Sequence, residues 1–561
     1  MRWVDVLIIG AYLCCLVGVG LYFARRQKST ETYFVAERSI PGWAMGLSLM
    51  ATIITSVSFI AYPGAAYAGN WSLLIPGFMF VAVLVLAGKV IVPFFRHSVR
   101  MSTFEYFGKR FGPGIRLYSS FAFAIGLFAK MGFVFYLFSL TVASITAWNF
   151  DHILIVSGIV TIFYTFIGGM ETIIWTDVLQ GFVLVLSICI SIGFLLFLPP
   201  GGPHAMLADA WSHHKFSLGS TAMRLDKPTI LVLTIYGLFF YIQKYTADQT
   251  VVQRYLVARS DKSAFRGIAL GAGLCIPVWA AFMMIGSLLW AFYRIVGEKL
   301  PANIVKPEQV FPHFIVTHIP VGLAGLFIAS LFGSAMSMMA SDMNCLAVIG
   351  VEDYYRLLRP QSTDKSRLRA GKWIVVASGV GAAVTGWLLE HSHGSVLSLY
   401  YTVTAIVAGG LAGLFLLAFL RARAGRRAAQ VGVVASLAAT AWATVTANGG
   451  KMLDLGSWNF PWHTYMIGAV SNVVLLVVGL LFSVILPAPI QADPSLTLWG
   501  WLHKSPWSAF LSSRNQRFSS QAKRIHRRLY KPIASIARRS FWKNKATNQL
   551  DSHRTESSQR H

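Results

Sequence analysis

Charge is scarce in this 561-residue sequence: 12% of it is Asp, Glu, Lys or Arg, about half of what a soluble chain carries. With 55% hydrophobic residues and a mean hydropathy of +0.59, its repeated apolar runs approach the ~20 residues needed to cross a bilayer. That excludes an ordinary soluble domain and predicts an all-α polytopic membrane protein. Cysteine is scarce as well. Cys14, Cys15, Cys189, Cys275 and Cys345 all lie in apolar runs, without metal-ligand spacing and without an extracellular pair. They are expected to be small core residues. No HExxH occurs, and none of the 14 histidines falls deep inside a span, which argues against a membrane metalloenzyme. No connection before residue 487 is longer than 199–227, so a fused catalytic domain has no room. Neither enzyme activity nor a cofactor is expected.

Acidic residues are the scarcer sign: 22 Asp/Glu stand against 48 Lys/Arg, a formal charge of +26. The location of that charge argues against a nucleic-acid partner. Residues 487–561, after the last apolar run, hold 14 Lys/Arg and 3 Asp/Glu. Their KRIHRR (523–528) and ARRSFWKNK (537–545) read either as a cytoplasmic segment lying on anionic membrane lipid or as a disordered orientation signal.

Thirteen spans are read near 4–24, 40–66, 71–95, 114–146, 151–168, 171–198, 228–252, 264–296, 320–350, 371–390, 395–420, 428–445 and 463–486. Arg2 and Asp5 precede the first apolar run, whereas Arg25, Arg26 and Lys28 follow it. This order places the N-terminus outside. The connections RRQKSTETYFVAER, FRHSVRMSTFEYFGKR, RYLVARSDKSAFR, YYRLLRPQSTDKSRLRAGK and RARAGRR then all fall inside, and so does the basic tail. The reading is a multi-pass protein of a cell membrane, such as a bacterial inner membrane.

Two spans look breakable. Residues 50–69, MATIITSVSFIAYPGAAYAG, carry four hydroxyls and the helix breaker Pro63-Gly64. Residues 241–254, YIQKYTADQTVVQR, carry Gln243, Lys244, Thr246, Asp248 and Gln249; either the span continues through them or it ends near Tyr241 and a loop follows. Broken helices survive in a membrane only where protein or water covers the break, and carriers use the freed groups to hold ions and solutes. The two candidates are the second and seventh spans. That separation fits two five-helix repeats of inverted topology. In the ninth span Ser334, Ser337 and Ser341 share one helical face, for close packing or for a site. Asp342, Asp177, Lys130 and Lys244 are ionisable at depth and point to function. Hydroxyls, carbonyls and carboxylates are oxygen ligands suited to sodium.

At these residues the chain resembles the sodium:solute symporter family, from about residue 4 to 486. The carrying motifs are GLSLMATIITSVSFIAYPGAAYAGNW (46–71), FIGGMETIIWTDVLQ (166–180), ADQTVVQRYLVAR (247–259) and SAMSMMASDMNCLAVIGVEDYYR (334–356). The resemblance implies a LeuT-like fold: an extra N-terminal helix and loop (1–39), repeats at 40–200 and 201–424, two additional helices (425–486) and the tail (487–561). It implies a sodium site built from the carbonyls of Ala51, Ile54 and Ser334 and the hydroxyl of Ser337. Asp177 would lie near a second cation position. Met338 stands where the family usually shows Ser or Thr, and a thioether is a poor sodium ligand; Asp342 is the candidate replacement. For solute, the resemblance implies Ile53, Thr55, Ser58, Lys244, Tyr245, Tyr401 and Thr404. Lys130 joins them by its depth.

The expected function is cation-coupled symport, with Na+ as the coupling ion, of a small organic solute by alternating access. Lys130 and Lys244 favour a carboxylate, unless each pairs with an aspartate of the chain itself. The alternatives are a transporter-like sensor, or an uncoupled or proton-coupled carrier because of Met338. Oligomeric state is not set by the sequence.

Overall fold

The computed structural model describes residues 3–25, 27–146, 148–302, 304–391, 409–450, 453–486 and 494–504. Most of them are helical. The principal helices are α1 (Trp3–Ala24), α2 (Gly42–Ile53), α3 (Ser56–Ala68), α4 (Leu74–Ser98), α5 (Pro113–Thr146), α6 (Phe150–Phe197), α7 (Ile230–Thr246) and α8 (Gln249–Leu256). The series continues with α9 (Asp261–Val296), α10 (Leu323–Ile349), α11 (Asp364–Glu390), α12 (Leu411–Leu420), α13 (Arg426–Gly450) and α14 (Met466–Ile485). Residues 1–492 make one compact unit; the second unit contributes a short helix, Leu498–Lys504, to the described residues.

Among the described residues, nine helices are long and apolar enough to cross a membrane, and eleven spans result if the bent pairs α2–α3 and α7–α8 each count once. Thirteen remains the expectation from sequence. Two places account for the difference. The 48 residues of α6, at about 1.5 Å each, exceed twice the thickness of a bilayer core, and Gly169 divides them at φ 59°, ψ −157°. A side chain there would meet the Tyr33 carbonyl at 2.7 Å, so glycine is required twice over. Tyr33, fully buried, donates its hydroxyl to the Thr165 carbonyl just before the break (2.8 Å). The other place is α12, whose expected first half lies outside the described residues.

One helix supports both halves of the first broken span. Gly42 and Gly46 of α2 cross Ser263, Gly267 and Gly271 of α9 so closely that a Cβ on Gly46 would lie 2.5 Å from the Gly267 carbonyl. This is the small-residue packing that lets membrane helices approach at backbone distance. Further along α9, Gly286 sits against the Pro63 carbonyl of α3. A parallel bridge joins Ile40, entering α2, to Ala258, leaving α8. The two interrupted spans are thereby tied together at one end.

The extra helix α1 is bonded to this assembly. Asp5 accepts from the Gly322 and Gly325 amides (2.7 and 2.9 Å), capping the start of α10 from another helix. The Tyr12 ring lies against Gly333 of α10 and Gln180 of α6. The cysteine expectation needs correction: Cys275 and Cys345 are buried, but Cys14, Cys15 and Cys189 are exposed on the protein surface. A thiol is apolar enough for a lipid-facing position.

Candidate cation and solute site

The first break is not at Pro63-Gly64. Helix α2 ends with the Ile54 amide on the Met50 carbonyl (2.9 Å). Ile54 and Thr55 are extended, and α3 restarts at Ser56, bent 59° from α2. Pro63 and Gly64 lie inside α3, where they serve packing: a side chain on Gly64 would strike the Glu308 backbone. The carbonyls from Ala51 to Ile54 follow the last bonded turn and leave the helix ladder. The Thr55 hydroxyl accepts from the Ser58 amide (3.4 Å), and the buried Ser56 hydroxyl has no partner among the described residues.

The second break is at Ala247–Asp248, with a 48° bend. The span therefore does not end at Tyr241; helix continues to Thr246. Asp248 caps α8 through the Thr250 amide (2.9 Å) and accepts from Lys244 (2.6 Å). The Gln249 amide takes the Met101 carbonyl (2.7 Å) and the Thr103 N–H (2.8 Å). Much of the polarity in YIQKYTADQTVVQR thus satisfies backbone that a break and its covering loops leave open.

Between the breaks lies a buried polar cluster. Asp177 of α6 is fully buried. It accepts from the hydroxyls of Ser48 (2.5 Å), Thr52 (3.4 Å) and Ser337, and from Arg254 Nη2 (3.1 Å). Arg254, 1% exposed, also donates to Ser48 (3.2 Å), Thr52, Ser341 (2.8 Å) and the Thr250 carbonyl (2.7 Å). Four elements converge here: α2, α6, α8 and α10. The cluster joins two expected cation residues, Asp177 and Ser337, to a guanidinium that sequence reasoning passed over. Arg254 was visible at the end of the polar stretch; the signal was that a lone buried carboxylate at Asp177 requires a counter-charge. The Ser334 hydroxyl turns back to the Leu331 carbonyl (3.1 Å), leaving its carbonyl as the group expected at the site.

Asp342 is placed elsewhere. One residue on from Ser341, it is rotated about 100° around α10 and pairs with Lys130 Nζ (3.0 and 2.8 Å) rather than with Asp177 and Ser337. Both aspartates, 342 and 248, are buried, while the Lys130 and Lys244 side chains keep 24% and 18% of their exposure. Each carboxylate also feels the other's lysine, so the four charges form one neutral group beside the second break. Ile53 and Thr55 are half-buried and Ser58 is buried at the first break. Tyr245 is committed to packing: its hydroxyl donates to the Phe80 carbonyl (3.1 Å) and its ring stacks on Phe80. Met338 is buried. Tyr401 and Thr404 lie outside the described residues.

A sequence profile of the sodium:solute symporter family matches residues 33–435. The chain belongs to this family. Sodium/sialic acid symporter NanT of Aliivibrio fischeri is 32% identical over 475 residues, covering 84% of this chain and 91% of the relative. Human sodium-coupled monocarboxylate transporter 1 is 27% identical over 456 residues, 79% of this chain and 73% of its own. A solved Na+-coupled sialic acid symporter, in a substrate-bound outward-open state, matches with a TM-score of 0.80 at 28% identity, over 87% of this chain and 100% of that one. The fold is LeuT-like. As a member of this family, the chain is a multi-pass membrane transporter that couples a small solute to sodium, and not an enzyme.

Proposed function

We propose that the chain carries a small organic carboxylate across a cell membrane together with Na+. Both lysines do pair with aspartates of the chain, the alternative to solute binding; the observation that carries the carboxylate reading is that Lys130 and Lys244 nonetheless stay partly exposed beside a helix break. Such a lysine can exchange its internal partner for an external one of the same chemistry. The named solutes of the relatives, sialic acid and monocarboxylates, support the class. Ile53, Thr55 and Ser58 would line the first break, with Tyr401 and Thr404 completing the site.

The coupling follows from charge. The lysine–aspartate group is neutral, so a bound carboxylate leaves it at −1. The Asp177–Arg254 pair is also neutral, so a bound Na+ leaves it at +1. For an assumed separation of about 10 Å and an effective dielectric near 20, opposite unit charges attract by about 1.7 kcal/mol, so each ligand would strengthen the other. Na+ would be held by the Ala51, Ile54 and Ser334 carbonyls, the Ser337 hydroxyl and Asp177, with Arg254 the stand-in counter-charge when the ion is away.

A second reading, a carrier that runs without sodium, is favoured by one observation: Arg254 already engages Asp177, Thr52 and Ser341, and Met338 removes an oxygen. Uptake into proteoliposomes separates the two. With carboxylates, amino acids and sugars screened under imposed Na+ or proton gradients, carboxylate uptake should follow the inward Na+ gradient. A confirmed substrate indifferent to either gradient would sink symport.

Two breaks five spans apart support repeats at 40–200 and 201–424 related by inverted topology, followed by two added helices (425–486). Loop charge supports an external N-terminus and a cytoplasmic basic tail on anionic lipid. Impermeant thiol labelling of single-cysteine variants in the 446–462 connection, from the outside only, checks that orientation.

A further inference from the structure

A groove of about 390 Å³ opens where α9 begins, between it and the start of α2, lined by Trp43, Ser260, Lys262, Ser263, Arg266 and Leu270 among others. None of its lining residues belongs to the cation and solute cluster. Lys262, Arg266 and Leu270 are spaced by four, so they form one stripe along α9, two cations above an exposed leucine. Among the described residues neither Lys262 nor Arg266 has a hydrogen-bond or ion-pair partner. The acid between them and the loop is taken: Asp261 binds Arg96 (2.7 Å) and His97 (2.9 Å). Trp43 is 49% exposed and meets Trp175 edge-on at 5.7 Å, an amphipathic pair of the kind that marks the membrane–water boundary.

We propose that this groove binds one anionic phospholipid, its phosphate on Lys262 and Arg266 and its acyl chain along Leu270 and Trp43. The polar-to-apolar order along the stripe matches an amphiphile standing in a leaflet. A soluble phosphate would satisfy the two cations but not the leucine and tryptophan. A zwitterionic lipid brings its own ammonium, which opposes Lys262 and Arg266, so a net negative headgroup is selected. The stripe belongs to the connection RYLVARSDKSAFR, one of the Lys/Arg-rich loops, which in the orientation proposed above faces the side where anionic lipids concentrate. Seated there, the lipid bridges α2 and α9 at their glycine crossing.

The test is native mass spectrometry of the full-length protein with added phosphatidylglycerol or phosphatidylcholine, beside thermal unfolding in the same lipids. Wild type should keep one phosphatidylglycerol in preference to phosphatidylcholine. The K262A/R266A double variant should hold it roughly 30-fold more weakly and lose the lipid-specific thermal shift. K262R/R266K, which keeps both charges, should retain it and controls for folding. Unchanged retention in the double variant would overturn the proposal, and so would an equal thermal shift from glycerol phosphate or inorganic phosphate, which lack the chains.

Discussion

Replacing Arg254 by glutamine probes whether the guanidinium and the coupling ion share one carboxylate. In the wild type Arg254 makes five polar contacts, of which the Asp177 bond (3.1 Å) is the ionic one. Removing one partner of a buried ion pair costs about 3–5 kcal/mol, because the other charge is left uncompensated. Sodium is expected to restore much of that loss in Arg254→Gln, since it supplies the missing charge among the same oxygens. At a sodium concentration 100 times the dissociation constant the gain is about 2.7 kcal/mol. The assay is thermal unfolding of purified protein in sodium chloride and in choline chloride at equal ionic strength. The variant should be the less stable protein in choline and show a larger sodium-specific shift than the wild type. Asp177→Asn should show no such shift, because the anionic oxygen is gone. Equal sodium-specific shifts in wild type and Arg254→Gln would refute the idea that arginine and ion compete.

Three further outcomes follow from the same geometry. Lys130→Gln should abolish uptake of an anionic substrate and leave Asp342 buried without its partner; the double variant Lys130→Gln/Asp342→Asn should recover thermal stability but not uptake, and retained substrate affinity in either would remove Lys130 from the site. Met338→Ser restores an oxygen beside Ser337, so the sodium concentration for half-maximal uptake should fall about tenfold, the worth of roughly 1.4 kcal/mol; no change would place the ion elsewhere. Asp5→Ala removes the cap that α1 gives to α10, which should cost about 1–2 kcal/mol; an unaltered unfolding midpoint would show that the extra helix does not brace the core.

Much of the fold was readable along the chain, because a bilayer allows few alternatives. Apolar runs near the spanning length must be helices there, and the two interrupted spans announced themselves by polarity out of place. Residue type alone misplaced the hinge: Pro63 suggested one, yet Pro63 and Gly64 pack inside α3 and the chain opens at Ile54–Thr55, beside the Ala51 and Ile54 carbonyls that the family resemblance had singled out. Gly169 is the converse case, a glycine whose positive φ ends one half of α6 at the GG pair where the sequence reading had already divided spans 151–168 and 171–198. The candidate site divided in the same way. Asp177 and Ser337 were found by residue type and depth. Arg254 was not, because its part depends on reaching Asp177 across 77 positions of chain.

By itself the sequence determined the membrane-spanning class, the family and the kinds of group available to bind an ion and an anion. These depend on composition and on local pattern, which survive in one dimension. Only the tertiary structure decided how the charges pair. Ser341 and Asp342 are neighbours in sequence, but helical rotation sends the first to Arg254 and the second to Lys130. In a medium of low dielectric, which carboxylate meets which cation sets where a further charge can be accepted, and that is a question of direction in space.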